Sequence, residues 1–356
     1  MKIGILTSGG DCSGLNAVIR AIGLYAYSNI KNAEIYGIPD GYGGLIRGEY
    51  FPLKKDVLSG ILDRGGTILG TSRQPFKQMT VVSESGESRL DKMCANYKKA
   101  GFDCLFTLGG AGTHKTAALL CMEGCNVIGL PKTIDNDIYG TDVTFGFQTA
   151  VEVVTDSIDR IKTTAASHGR TMIVEIMGNK AGWLTLHSGI AAGADMILIP
   201  ELPFEPEKVC EFVSENLKKG NGYNIIAVAE GALPASEVKL KKSERTFVRS
   251  ARGETTASMH LAEIIQQQTG SETRVSVLGY LQRGGTPCAY DRLLASRLGG
   301  FAGQLAKEGK FGVTVAVSGS KITFNALSEI AGKYKFVDPN GQIVSFAKSI
   351  GIGFAD

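Results

Sequence analysis

Short apolar runs closed by glycine or polar turn residues alternate along the chain with stretches whose apolar residues recur at helical spacing. The first pattern predicts buried strands and the second predicts helices with one apolar face. Strands are predicted at Lys2 to Leu6, Asn32 to Ile38, Cys104 to Leu108, Asn126 to Leu130, Thr171 to Ile176, Met196 to Pro200, Asn224 to Ala229, Arg274 to Leu278 and Gly312 to Val317. Helices are predicted at Ser13 to Tyr27, where Leu15, Val18, Ile19 and Ile22 share a face, at His114 to Met122, and at Phe147 to about Ile161. A further helix, rich in small residues, runs from Trp183 to Ala194. There is no fixed-period repeat and no low-complexity linker.

Three of the turns share one chemistry. Thr7 to Asp11 and Gly109 to Thr113 each join a strand to a helix start, and Pro131 to Asp137 follows the run Asn126 to Leu130. A glycine turn opening a helix points unpaired backbone N–H groups at whatever anion sits there. Loops at strand ends line one edge of a parallel sheet, where α/β ligand sites form. The third loop adds two acids, Asp135 and Asp137, preceded by Lys132 and Thr133. One carboxylate can take a proton while the other manages charge or metal, which suits phosphate chemistry; an ordinary polar turn accounts for the same residues. The glycine-rich loop Arg64 to Arg73 carries Arg73 at its tip, either as a solvated charge or as a phosphate clamp.

Composition narrows the class. The 46 glycines, set against 8% aromatic residues, fall between apolar runs and fit many strand-to-helix turns rather than disorder. With 356 residues the chain has room for two domains or one large α/β domain. A net charge of +3 without a dense Lys/Arg block argues against nucleic-acid binding. The seven cysteines are odd in number and scattered, as expected of reduced thiols in a cytosol. Cys121 and Cys125 stand at helical spacing, but no second Cys/His pair completes a metal site, so core thiols are expected. The N-terminus reads as a strand rather than a signal peptide, and no apolar run approaches the ~20 residues of a membrane span. A soluble, cytoplasmic protein is expected.

Taken in order, these residues resemble the 6-phosphofructokinase family. The likeness rests on Thr7 to Asp11, Gly65 to Arg73, Gly109 to Thr113, Pro131 to Asp137, Ser167 to Arg170, Met177-Gly178, Glu230 and Gly279 to Gly285, which follow the family's order over most of the length. The resemblance implies an α/β fold of two similar three-layer domains with mostly parallel sheets. It places a donor-binding domain at 1–138 and a sugar-phosphate domain at 139–310, with 311–356 packing back across the domains. The implied reaction is transfer of the γ-phosphoryl of ATP to the 1-hydroxyl of fructose 6-phosphate, with Mg²⁺, in glycolysis.

Residue by residue, Asp135 matches the family's general base, with Thr133 and Asp137 as neighbours that position the phosphoryl group and manage charge. Gly9, Tyr42, Arg73, Gly112 and Thr113 match donor contacts, and Lys132 joins them as a partner for a terminal phosphate. Met177, Gly178, Glu230, Tyr280 and Arg283 match sugar contacts, together with Thr133 and Asp135. Arg170 and Arg274 match arginines that reach the sugar's 6-phosphate from a neighbouring subunit, which implies a homo-oligomer, dimer or tetramer. No metal ligand is assigned, because the family's usual acid is replaced by Ala111 and a methyl cannot ligate Mg²⁺.

Donor choice is contested within the same loops. Gly112 leaves room for the nucleotide α-phosphate, where pyrophosphate-dependent members carry an aspartate. Lys132 is the residue those members have before Thr-Ile-Asp. A steric block is harder to evade than an added charge, so ATP is favoured over pyrophosphate. Asn179 and Tyr280 stand where an arginine and a histidine are usual, and Leu24 follows Arg20 where the bacterial allosteric enzymes hold an effector phosphate. The loss of the acid at 111 and the arginine at 179 also admits a catalytically weakened, sugar-phosphate-binding regulatory homologue.

Overall fold

The computed structural model describes residues 1–84, 86–220, 222–251 and 256–356. Its strands are β1 (Lys2–Ser8), β2 (Glu34–Ile38), β3 (Phe51–Pro52), β4 (Cys104–Gly109), β5 (Val127–Pro131), β6 (Thr171–Ile176), β7 (Met196–Leu198), β8 (Asn224–Ala229), β9 (Thr273–Val277), β10 (Val313–Ser318) and β11 (Lys321–Ala326). They form a sheet of order β11-β10-β5-β4-β1-β2-β3 and a second of order β7-β8-β6-β9. In the first sheet β1, β2, β4, β5 and β10 run parallel, and β3 and β11 are antiparallel edges. The second is parallel throughout.

Every residue of β4, β5, β6 and β8 is buried, which requires cover on both faces and explains their mostly apolar character. By contrast, β9 lies at an edge and is only partly buried, with Arg274 and Val277 exposed. The helix Leu15–Asn29 packs closely on Ala289–Lys307. At Gly299 a Cβ would fall 2.7 Å from Ala21 Cβ and 2.8 Å from the Val18 carbonyl oxygen, so this crossing needs a glycine.

The chain divides into two compact units, one of residues 1–149 and 283–335, the other of 150–282 and 336–356. This differs from the expected division at 138 and 310. The cause is long-range packing: the helix Ala289–Lys307 lies on Leu15–Asn29, and β10 adds to the first sheet alongside β5, with Val313 opposite Ile128, so that residues 283–335 return to the first unit. The tail then divides, its first part staying with that sheet and 336–356 joining the second unit.

Two features of register matter for chemistry. Ser8 stands opposite Gly109, and Gly109 opposite Pro131, so the three glycine and acid loops leave the first sheet side by side. The chain leaves β1 toward β2 and β4 toward β5, on opposite sides, which makes the β1/β4 edge a topological switch point. In the second sheet, Ile176 is opposite Ala229 and Glu175 opposite Val277, so Met177, Glu230 and Leu278 emerge together.

Candidate active site

In the first unit the loops are tied to one another by hydrogen bonds. The Gly9 N–H donates to the Ser72 carbonyl at 3.1 Å and Thr71 Oγ1 donates to the Gly9 carbonyl at 2.7 Å, which brings the Arg73 loop against the first glycine loop. Arg73 itself stands exposed. Gly112 lies in the first turn of the helix Ala111–Met122, exposed, and a Cβ there would meet nothing within 4 Å. The space beside it is therefore not required by the protein's own packing. Thr113 is buried, with Oγ1 donating to the Ser8 carbonyl at 3.5 Å. Tyr42, expected at the donor, is 1% exposed and donates its hydroxyl to the Thr113 carbonyl at 2.9 Å, so it holds the helix start in place.

The acid loop is held from within. The Asp135 N–H donates to Thr133 Oγ1 at 3.0 Å, Thr144 Oγ1 donates to the Thr133 carbonyl at 2.7 Å, and the Thr144 N–H donates to Asn136 Oδ1 at 3.0 Å. Asn136 takes a positive φ of 51°, a conformation asparagine tolerates better than most residues. Asp135 is half-buried between two buried neighbours. Asp137 is buried, which raises its pKa, and the charges of Lys132 and Lys335 work against that rise.

Lys132 is buried as well, and its ammonium donates to the Gly10 carbonyl. Burial lowers its pKa, while Cys12, Asp135 and Asp11 oppose the shift. It therefore braces the first loop against the third. Arg283, expected among the sugar contacts, belongs to the first unit, and its guanidinium lies where a Cβ on Gly10 would collide with it.

The second unit gathers the other expected residues. The Met177 N–H donates to Gln282 Oε1 at 3.0 Å, and Gln282 Nε2 donates to the Gly279 carbonyl at 3.0 Å. The Asn179 N–H donates to Glu230 Oε1 at 2.8 Å. Gly178 has φ 146°, and a Cβ there would sit 2.6 Å from the Ala181 carbonyl oxygen, so the turn excludes any larger residue. A cavity of about 160 Å³ is lined by Glu175, Met177, Glu230, Tyr280 and Gln282 among others. Tyr280 is 81% exposed at its rim. Arg170 and Arg274 share one carboxylate, Glu272, at 2.9 and 2.5 Å.

The phosphofructokinase sequence model matches residues 2–306. The chain belongs to the phosphofructokinase family. An ATP-dependent 6-phosphofructokinase of Spirochaeta thermophila is 49% identical over 356 residues, 99% of this chain and 97% of that protein. An ATP-dependent 6-phosphofructokinase 3 of Bacteroides thetaiotaomicron is 44% identical over 355 residues, 99% of this chain and 100% of its own length. Among solved structures, phosphofructokinase from Saccharomyces cerevisiae superposes with a TM-score of 0.79 at 30% identity, covering 93% of this chain and 45% of the yeast chain. This chain thus spans less than half of the yeast chain but nearly all of the bacterial relatives. A pyrophosphate-dependent phosphofructokinase from Marinobacter aquaeolei shares the fold, with a TM-score of 0.81 at 22% identity over 99% of this chain and 88% of that one.

Several residues of this phosphofructokinase escaped the sequence patterns. A cavity of about 700 Å³ in the first unit is lined by Phe76, Lys115, Leu119, Met122, Leu327 and Ala331 among others. Lys115, Leu119 and Met122 lie on the same helix as Gly112 and Thr113. The apolar pair among them, Leu119 and Met122, reads equally as core, so only the third dimension separates pocket from packing. Glu272 and Gln282 carry no sequence signal beyond neighbouring Arg274 and Arg283.

Among the described residues no group of three or more His, Cys, Asp or Glu side chains is placed to hold a metal ion. Mg²⁺ is usually held by one or two carboxylates plus substrate phosphates and water. Asp135 and Asp137 are carboxylates of the type such a donor set uses, and Ala111 adds no oxygen to it.

Proposed function

We propose that this protein is an ATP-dependent 6-phosphofructokinase, transferring the γ-phosphoryl of ATP to the 1-hydroxyl of fructose 6-phosphate. The observation that carries it is the register Ser8–Gly109–Pro131, which sets two anion-binding loops beside the acid loop at a topological switch point. The 1-hydroxyl oxygen attacks the γ-phosphorus as the bond to the β,γ-bridging oxygen breaks, Asp135 takes the hydroxyl proton, and ADP leaves. The donor's phosphates, with Asp137 as the nearest protein carboxylate that is not the base, would hold Mg²⁺, which would supply charge neutralisation. Arg73 balances charge in flight from the loop tied to Gly9, and Thr133 orients the Asp135 backbone. Little covalent chemistry is asked of the protein, so positioning and electrostatics dominate.

Two features favour ATP over pyrophosphate. The space beside Gly112 admits an α-phosphate, and the apolar cavity further along the same helix suits a nucleotide base. Lys132, which by sequence leaned toward pyrophosphate, is committed to the Gly10 carbonyl and supports that loop with either donor. Donor loops belong to the first unit and the Met177, Gly178, Glu230 and Tyr280 set to the second. Arg170 and Arg274, on the second unit, are assigned to the 6-phosphate of a neighbouring copy in a homo-oligomer. No helix among the described residues is long and apolar enough to cross a membrane, and a cytoplasmic location is inferred.

The test is a coupled assay of the purified protein with ATP and with pyrophosphate at equal Mg²⁺. A markedly higher kcat/KM with ATP is expected. A far higher value with pyrophosphate overturns the donor assignment, and turnover with neither overturns the catalytic one.

A further inference from the structure

The family match ends at residue 306, yet the chain returns to the acid loop well beyond that point. Tyr334 forms an antiparallel bridge with Ile138, and the Lys335 N–H donates to the Asp137 carbonyl at 2.8 Å. The Lys335 ammonium donates to the carbonyls of Thr141 at 2.9 Å and Asp142 at 2.8 Å. Those two residues are fixed in turn to β10 and the turn after it, since the Val317 N–H donates to Thr141 Oγ1 and the Gly319 N–H to Asp142 Oδ2. The loop is thus held on its entry side by Lys132, Thr133 and Thr144, and on its exit side by the Ile138–Tyr334 bridge and by both the backbone and the ammonium of Lys335.

We propose that Lys335 is a positioning residue for phosphoryl transfer, holding the exit of the Pro131–Asp137 loop so that both acids keep a single geometry. The inference rests on the assigned kinase activity. Lys335 also supplies charge. The charges facing it are Asp142 and Asp137, and those facing Asp137 are Lys132 and Lys335. Neighbouring Lys333 has a different setting: it is exposed, over the Tyr139 ring at 5.3 Å, and makes a natural control.

The experiment compares the full-length protein with Lys335→Met and Lys333→Met, measuring kcat, both KM values and the thermal midpoint. A shift of the reacting groups by a fraction of an ångström costs on the order of tenfold or more in rate. Lys335→Met is expected to lose at least tenfold in kcat with both KM values within twofold, while Lys333→Met is unchanged. Should the Met variant not fold, Lys335→Gln, which keeps a donor without the charge, is judged by the same split. A lowered midpoint with kcat per folded enzyme within twofold of wild type reduces Lys335 to a structural strut and overturns the proposal. Wild-type protein that does not phosphorylate fructose 6-phosphate overturns the functional assignment instead.

Discussion

Gly112→Asp separates donor recognition from stability more cleanly than any other single change. The position is exposed, sits in the first turn of the helix Ala111–Met122, and has no atom within 4 Å of where a Cβ goes. The fold therefore accepts the side chain. Replacing a helical glycine removes up to about 0.5 kcal/mol of propensity cost, and an acid in the first turn adds about 0.3–1 kcal/mol through the helix dipole. Together these predict a thermal midpoint equal to or above wild type. The same carboxylate enters the space assigned to the nucleotide α-phosphate. Like charges ~5 Å apart at an effective dielectric of ~20 repel by about 3 kcal/mol, a factor on the order of 10². The assay is steady-state kcat/KM for ATP and for fructose 6-phosphate, alongside a thermal melt. The expected result is a loss of about 10² in kcat/KM for ATP at unchanged or raised stability, with the sugar's KM little altered. An ATP kcat/KM within threefold of wild type, in a fully folded variant, refutes the assignment of Gly112 as the donor gate.

Asp135→Ser is expected to lower kcat by ~10²–10⁴ while leaving fructose 6-phosphate affinity near wild type, because a base is removed and the clamp stays; near-normal kcat would show that another group takes the proton. Glu272→Gln releases Arg170 and Arg274 from a solvent-exposed ion pair, so the KM for fructose 6-phosphate should fall by up to about fivefold. A KM that rises instead means that Glu272 orients the arginines rather than competing for them. His114 is 1% exposed, bonded to the Gly110 carbonyl and Thr314 Oγ1, and burial lowers its pKa from 6.5 to about 4. The unfolded ring takes a proton near 6.5 and the folded ring does so only near 4. Its contribution is therefore complete above pH 6.5 and is lost as pH falls toward 4, by about 3 kcal/mol in all. Denaturant melts between those pH values should show a shallower slope in His114→Gln than in wild type, and equal slopes would refute this source.

Strand and helix alternation, the three loops and the two acids of the third were legible from the sequence, because apolar periodicity and glycine turns are local properties of a chain. The same local patterns were silent on what each buried face meets. Val313 pairing with Ile128 re-drew the domain division, and no local signal specifies a strand's distant neighbour. Sequence reading also missed the ties that Lys132 makes to a carbonyl 122 residues away and Tyr42 makes to the Thr113 carbonyl, because neither partner is near in sequence. Apolar residues of the helix Ala111–Met122 could be assigned to a cavity only once Phe76 and Leu327 were seen to share it. Residue types and spacing by themselves determined which chemistry this chain carries. Tertiary structure decided which charges are free to act and which are committed to holding loops, since that depends on hydrogen bonds between segments far apart in sequence.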